Sequence, residues 1–194
     1  MSKSDSATAR KERNKTIRWV VTIFFVTVLV SGVISWLSDQ IMSVSGITVA
    51  FLILLFIILV GILFDIIGVA VTSADEKPFH SMAARKVPGA QDAIKLMRNA
   101  ERVSSICNDV IGDICGVVSG SASATIAAQV LQQLDFSWPR LITLTMSALV
   151  AGLTVGGKAI GKTVAINSCT KIVYGVGKMI YVLHQFPWIR KKKK

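Results

Sequence analysis

Four long apolar stretches alternate with polar segments along the chain. They run over residues 19–37, 47–72, 103–131 and 141 to about 157. Each reaches the roughly 17 residues that a helix needs to cross a bilayer. Hydrophobic residues make up 52% of the sequence and fall in these blocks rather than in the short periods of a soluble core. The pattern predicts an all-α membrane protein with four transmembrane helices and juxtamembrane amphipathic helices.

Amphipathic and basic segments lie between and beside the apolar blocks. In residues 79–102 apolar positions alternate with Lys and Arg, and Pro88-Gly89 divides the segment, so we expect two short helices at the membrane surface. Residues 158–184 are amphipathic again. The chain therefore divides into a basic, partly disordered cytoplasmic tail (1–18), an extra N-terminal transmembrane helix with its outer loop (19–46), a transmembrane domain (47–185) and a basic cytoplasmic C-terminus (186–194).

The positive charge lies close to the apolar blocks. The net charge is +11, from 22 Lys and Arg against 11 Asp and Glu. This placement indicates anionic lipid headgroups at the basic termini rather than nucleic acid. With the N-terminus inside, only Arg140 of the 22 basic residues falls outside. The positive-inside rule thus predicts an integral protein of the cell (plasma) membrane with both termini in the cytoplasm.

Few residues suggest enzymatic chemistry. Cys107, Cys115 and Cys169 form no CxxC pair, and His80 and His184 lack the spacing of a histidine metal site. We find neither a nucleophile motif nor a glycine loop that would cradle a phosphate. We therefore expect a protein that is not an enzyme.

Three acids lie inside the apolar blocks. Asp109 and Asp113 are four residues apart and share one side of the third span, and Asp65 lies in the second. Counted from the cytoplasmic helix ends, the three lie roughly 9–15 Å deep. Together with Asn108 they offer only oxygen ligands, which suit a hard cation such as Mg²⁺ or Na⁺.

Lys158 supports a competing interpretation. It lies near the inner end of the fourth span and would neutralise Asp65 or Asp109 in a structural ion pair. A third alternative is that the acids are separate and unrelated.

Gly112, Gly116 and Gly120 form a strip without side chains beside the two acids of the third span. Such strips let helices approach closely. The partner is either the second or fourth span of the same chain, or the same helix of a second copy in a homodimer.

Four short motifs follow one another in a recognisable order. They are Ile67 to Ser73 at the end of the second span, Arg102 to Ser105, Asn108-Asp109, and Gly157 to Ala165 at the end of the fourth. In this order they resemble the transmembrane domain of the CNNM/CorC (cyclin M) magnesium-transport family over about residues 50–185. The resemblance implies that family's transmembrane fold, a homodimer, and Asn108 and Asp109 at its asparagine-containing centre.

The chain also departs from that family pattern. The positions of the family's ion-binding serines and acid fall near Asp65, Ile67 and Gly68, Lys158 replaces a glutamate, and Gly161 replaces a proline. We expect a divergent relative that lacks the CBS regulatory domains.

Two functions of different class follow. The first is a cation transporter that uses Asp65, Asn108, Asp109 and Asp113 to carry Mg²⁺ or another divalent ion, with or without coupling to Na⁺. The second is a non-transporting membrane subunit or scaffold whose site is closed by a Lys–Asp ion pair.

Overall fold

The computed structural model describes residues 3–133 and 139–185, and these are almost entirely helical, without a strand. The helices are α1 (Lys3–Val44), α2 (Ile47–Ser73), α3 (Lys77–Ala84), α4 (Ala90–Arg98), α5 (Ala100–Ser105), a π-helix (Ile106–Gly112), α6 (Asp113–Gln133), α7 (Pro139–Asn167) and α8 (Cys169–Gln185). The all-α prediction is confirmed.

Four helical segments of the described chain are long and apolar enough to cross a membrane: Thr16–Ile41, Ile47–Ser73, Ala100–Gln133 and Arg140–Asn167. The third is continuous through α5, the π-helix and α6. None of the most apolar 18-residue window of α1 is buried inside the protein. Phe24, Phe25 and Leu29, for example, face outward. Apolar side chains in these numbers belong in a lipid bilayer rather than in water.

Two helices are longer than the sequence pattern indicates. Helix α1 begins at Lys3, so the segment expected to be a partly disordered tail is helical. Residues 3–31 of this helix contain neither Pro nor Gly, and residues 3–18 are rich in Lys and Arg, which favour helix. Helix α7 continues to Asn167, ten residues past the predicted end, because Gly157 and Gly161 pack within a helix rather than ending one.

Helix α2 is the centre of the bundle. It packs against α5, the π-helix, α6, α7 and α8, whereas α1 packs mainly on α6. Toward the C-terminal ends of α1 and α6, the Thr125 hydroxyl donates a hydrogen bond to Asp39 Oδ1 at 2.7 Å. This bond ties the first span to the third.

Two apolar clusters hold α2 at its two ends. The N-terminal cluster consists of Ala50, Leu54, Ile58, Ala122, Ile126 and Val150. The C-terminal cluster consists of Ala70, Val71, Phe79, Ala93, Ile94, Met97, Ala165 and Val173, and joins α2 to the short helices and α8. Between them lies the stretch of α2 that contains Asp65.

The division of residues 79–102 into two short helices is confirmed, and the break falls at Pro88-Gly89. Gly89 has a left-handed φ of 84°. A Cβ there would lie 2.6 Å from the Cα of Lys178 on α8, so the backbones of the turn and of α8 touch. Only glycine allows both this conformation and this contact.

Close helix packing uses glycines other than the predicted strip. A Cβ on Gly161 would lie 2.8 Å from Ile66 Cγ1, and one on Gly157 would collide with Ile62 Cδ1, so α7 approaches α2 through these two positions. At Gly116 and Gly120, by contrast, a Cβ would meet no atom within 4 Å. The intramolecular contact expected for the strip is absent at these two described positions.

This packing predicts opposite effects for two glycines of α7. Gly161→Ala should lower the free energy of unfolding by about 1–3 kcal/mol, because the added methyl group overpacks the contact with Ile66. Gly152→Ala is the matched control. A Cβ there meets nothing within 4 Å, so the change should be neutral or stabilising. Thermal unfolding in detergent measures both, and equal effects would contradict the packing of α7 on α2.

Candidate functional site

The polar residues inside the bundle meet where three elements converge. Asp65 lies on α2, Asn108 on the π-helix and Lys158 on α7, and α2 touches both other elements. Asp65 and Lys158 are only partly exposed. This level of the bundle lies between the two apolar clusters, where a charge without a partner would be costly.

Lys158 and Asp65 form an ion pair. The Lys158 Nζ lies 3.8 Å from Asp65 Oδ1, and the two side chains are 28% and 17% exposed. The distance is too long for a good hydrogen bond but within the range of a direct electrostatic attraction. The alternative in which Lys158 neutralises Asp65 therefore describes the arrangement in the structure.

Gly112 lies beside the lysine. A Cβ at this position would lie 3.5 Å from Lys158 Nζ and 3.4 Å from the Cys107 carbonyl oxygen, which are ordinary van der Waals distances. Gly112 therefore faces a side chain rather than a second helix, and an added methyl group would fit there.

Asn108 is pressed against α2. Its Nδ2 donates a hydrogen bond to the Ser104 hydroxyl at 3.2 Å. Its Oδ1 is buried, has no hydrogen-bond partner among the described residues, and occupies the place where a Cβ of Gly68 would project. The oxygen therefore packs directly against Gly68. Any side chain at position 68 would displace Asn108.

The π-helix sets which residues face inward. Its hydrogen bonds run from residue i to i+5 rather than i+4, and such segments often occur at functional sites. In this segment Asn108 is partly buried against α2 and Gly112 is buried beside Lys158, whereas Asp109 is exposed. The π-helix thus lies next to the polar side chains that meet inside the bundle.

Asp109 and Asp113 do not join Asp65. Both are exposed, and neither forms an ion pair within 4.0 Å with a residue that the structure describes. Within residues 3–133 and 139–185, no group of three or more His, Cys, Asp and Glu side chains is arranged to hold a metal ion. The structure brings together Asp65, Lys158 and Gly112, with Asn108 and Gly68 about one turn of α2 away. Binding of Mg²⁺ or Na⁺ stays a prediction.

The sequence pattern did not predict close packing at Gly61, and Gly68 was named only because of the family resemblance. A Cβ on Gly61 would lie 2.9 Å from Cys115 Cβ, which brings the third span close to α2. The two glycines are seven residues apart and so share one face of a helix. Two glycines at this spacing, within a block of otherwise bulky apolar residues, could have predicted which face of α2 packs against the third span.

No known protein family, curated protein or solved structure matches the chain. The CNNM/CorC resemblance therefore depends on the order of its four motifs alone and stays a prediction. Gly68, Asn108 and Lys158, three of the positions that it singled out, lie around the polar level of the bundle.

The ion pair predicts a non-additive mutation cycle. Asp65→Asn and Lys158→Met should each lower the free energy of unfolding by about 1–3 kcal/mol, because each leaves the other charge unpaired in a largely buried place. The double variant should recover much of that loss. Asp109→Asn is the control: Asp109 forms no ion pair with a described residue, so its effect should be the same whether or not Lys158 is replaced. Additive losses in the cycle would show that the two charges do not interact.

Proposed function

We propose that this chain is a non-transporting membrane subunit or scaffold, in which the Lys158 ammonium takes the position that a metal cation would need. The observation that carries the proposal is the 3.8 Å approach of Lys158 to Asp65. It accords with the family resemblance, in which Lys158 stands where a glutamate is expected.

The physical argument is one of charge. A Mg²⁺ site needs near-octahedral oxygen ligands, usually including one or two carboxylates. Beside Asp65 there is instead a fixed positive charge, which repels a cation and neutralises the acid without one. Such a pair links α2 to α7 without a bound ion, as a scaffold that binds no cation would need.

A second candidate is cation transport through Asp65, Asn108, Asp109 and Asp113, with Mg²⁺ or Na⁺ as the ion. Two observations favour it. Asp109 and Asp113 have no ion-pair partner among the described residues although they belong to a membrane-spanning segment, and Asn108 Oδ1 is buried without a hydrogen bond. Unpaired acids inside a span are typical of ion pathways. Transport would require Lys158 to leave Asp65.

Ion-dependent melting distinguishes the two functions. For the subunit, neither Mg²⁺ nor Na⁺ should raise the melting temperature of the purified protein above that in choline at equal ionic strength. Lys158→Ala should lower it sharply, because Asp65 then remains unpaired.

The opposite result would favour transport. A bound ion stabilises the folded protein by about 2.7 kcal/mol at a hundredfold excess over its dissociation constant. An ion-specific rise that Asp109→Asn abolishes, and that Lys158→Ala leaves unchanged or strengthens, would overturn the subunit proposal.

We also propose that the protein resides in the cell membrane with both termini in the cytoplasm. The one-sided distribution of Lys and Arg supports this orientation. A homodimer remains part of the proposal: the open positions Gly116 and Gly120 would let a second copy approach α6. Anionic lipid is proposed to bind the basic termini, of which residues 186–194 lie outside the described part of the chain.

Cysteine labelling in intact cells tests the orientation. In a variant without the three native cysteines, Gly46→Cys should react with an impermeant thiol reagent from outside, since Gly46 is exposed in the turn between α1 and α2. Ser81→Cys, exposed on α3, should react only after the membrane is permeabilised. The reverse pattern would show that the termini lie outside.

A further inference from the structure

A cleft opens between the first span and the start of the third. Its volume is about 500 Å³, and it is lined by Thr16 and Trp19 of α1 and by Glu101, Arg102 and Ser105 of α5. Ligand pockets typically have volumes of roughly 300–1,000 Å³, so the cleft is large enough for a small polar group. It is separate from the ion pair of Lys158 and Asp65.

The cleft lies at the edge of the membrane. The apolar block of the first span begins at Trp19, directly after Arg18, and that of the third begins at Val103, directly after Arg102. Trp19 is 42% exposed. Indole rings at the ends of spans characteristically lie at the level of the lipid headgroups. A lipid whose acyl chains lie along α1 would therefore bring its headgroup to the cleft.

The lining offers both signs of charge. Arg102 and Glu101 are exposed, and neither forms an ion pair within 4.0 Å with any described residue. A guanidinium group binds phosphate through two parallel hydrogen bonds, and a carboxylate accepts hydrogen bonds from an ammonium group. The hydroxyl of Ser105 and the indole of Trp19 add polar groups at the same place.

From this combination we propose that the cleft binds the headgroup of a zwitterionic phospholipid of the phosphatidylethanolamine class. Arg102 holds its phosphate, and Glu101 holds its ammonium group. A purely anionic headgroup such as phosphatidylglycerol would satisfy Arg102 but leave the negative charge of Glu101 beside its phosphate. The site thus distinguishes phospholipids by the ammonium group that Glu101 binds, and not by the phosphate alone.

Retention of lipid by the purified full-length protein tests the proposal. The protein is stripped of lipid in detergent, given phosphatidylethanolamine or phosphatidylglycerol with the same acyl chains, and examined by native mass spectrometry. The wild type should retain more phosphatidylethanolamine. Arg102→Gln should weaken that binding roughly tenfold or more, as expected for lost hydrogen bonds to a charged group. Arg102→Lys should keep part of the binding, because it keeps the charge.

Two further variants sharpen the result. Glu101→Gln should remove the preference for phosphatidylethanolamine over phosphatidylglycerol while binding of phosphate persists. Arg98→Gln is the matched control, because it removes the same charge. Arg98 is exposed nearby on α4 and does not line the cleft. It should retain lipid as the wild type does.

Three outcomes would overturn the proposal. The first is equal retention by Arg102→Gln and Arg98→Gln, and the second is equal retention of the two lipids by the wild type. The third is displacement of the bound lipid by inorganic phosphate, a soluble compound with the same phosphate group. If inorganic phosphate displaces the bound lipid as well as glycerophosphoethanolamine does, the cleft is a phosphate site and not a headgroup site.

Discussion

The attraction between Lys158 and Asp65 is the interaction on which the centre of this bundle depends. It joins α7 to α2 between the two apolar clusters. Two charges placed there together cost far less than either alone, because each lowers the cost of removing the other from water. Gly112, the last residue of the π-helix, lies beside the ammonium group.

On either side of the ion pair, the helices are held by side chains that pack directly onto glycines of the neighbouring helix. In lipid, burying an apolar side chain gains little, because the acyl chains are as apolar as leucine. Helices then associate where small residues allow tight packing. Gly61 on α2 receives Cys115, and Gly157 and Gly161 on α7 receive Ile62 and Ile66. These contacts explain why α2 has neighbours along its whole length although its sequence is apolar on every side.

The sequence predicted the spans well and the orientation of the acids poorly. Hydropathy is a local property, so the four membrane segments could be predicted from composition alone. The position of Lys158 near the inner end of the fourth span also indicated Asp65 as one of its two possible partners. The spacing of Asp109 and Asp113 showed that they share a side of the helix but not which side faces inward. A π-helix changes that register, and regular periodicity gives no sign of it. Gly68 was similarly hidden, since its role depends on Asn108 of another helix.

The π-helix has a consequence for how this chain can change in length. A π-helical turn holds an additional residue compared with the α-helical hydrogen-bond ladder, so the 106–112 segment is the place in the third span that can lose a residue and remain helical. Five residues of a π-turn pass through nearly the same angle as four residues of an α-turn, so such a deletion would leave α5 and α6 in nearly their present relative orientation. Arg102 and Glu101 would then stay beside Trp19. The same deletion in a regular α-helical part of the span would instead rotate them by about 100°.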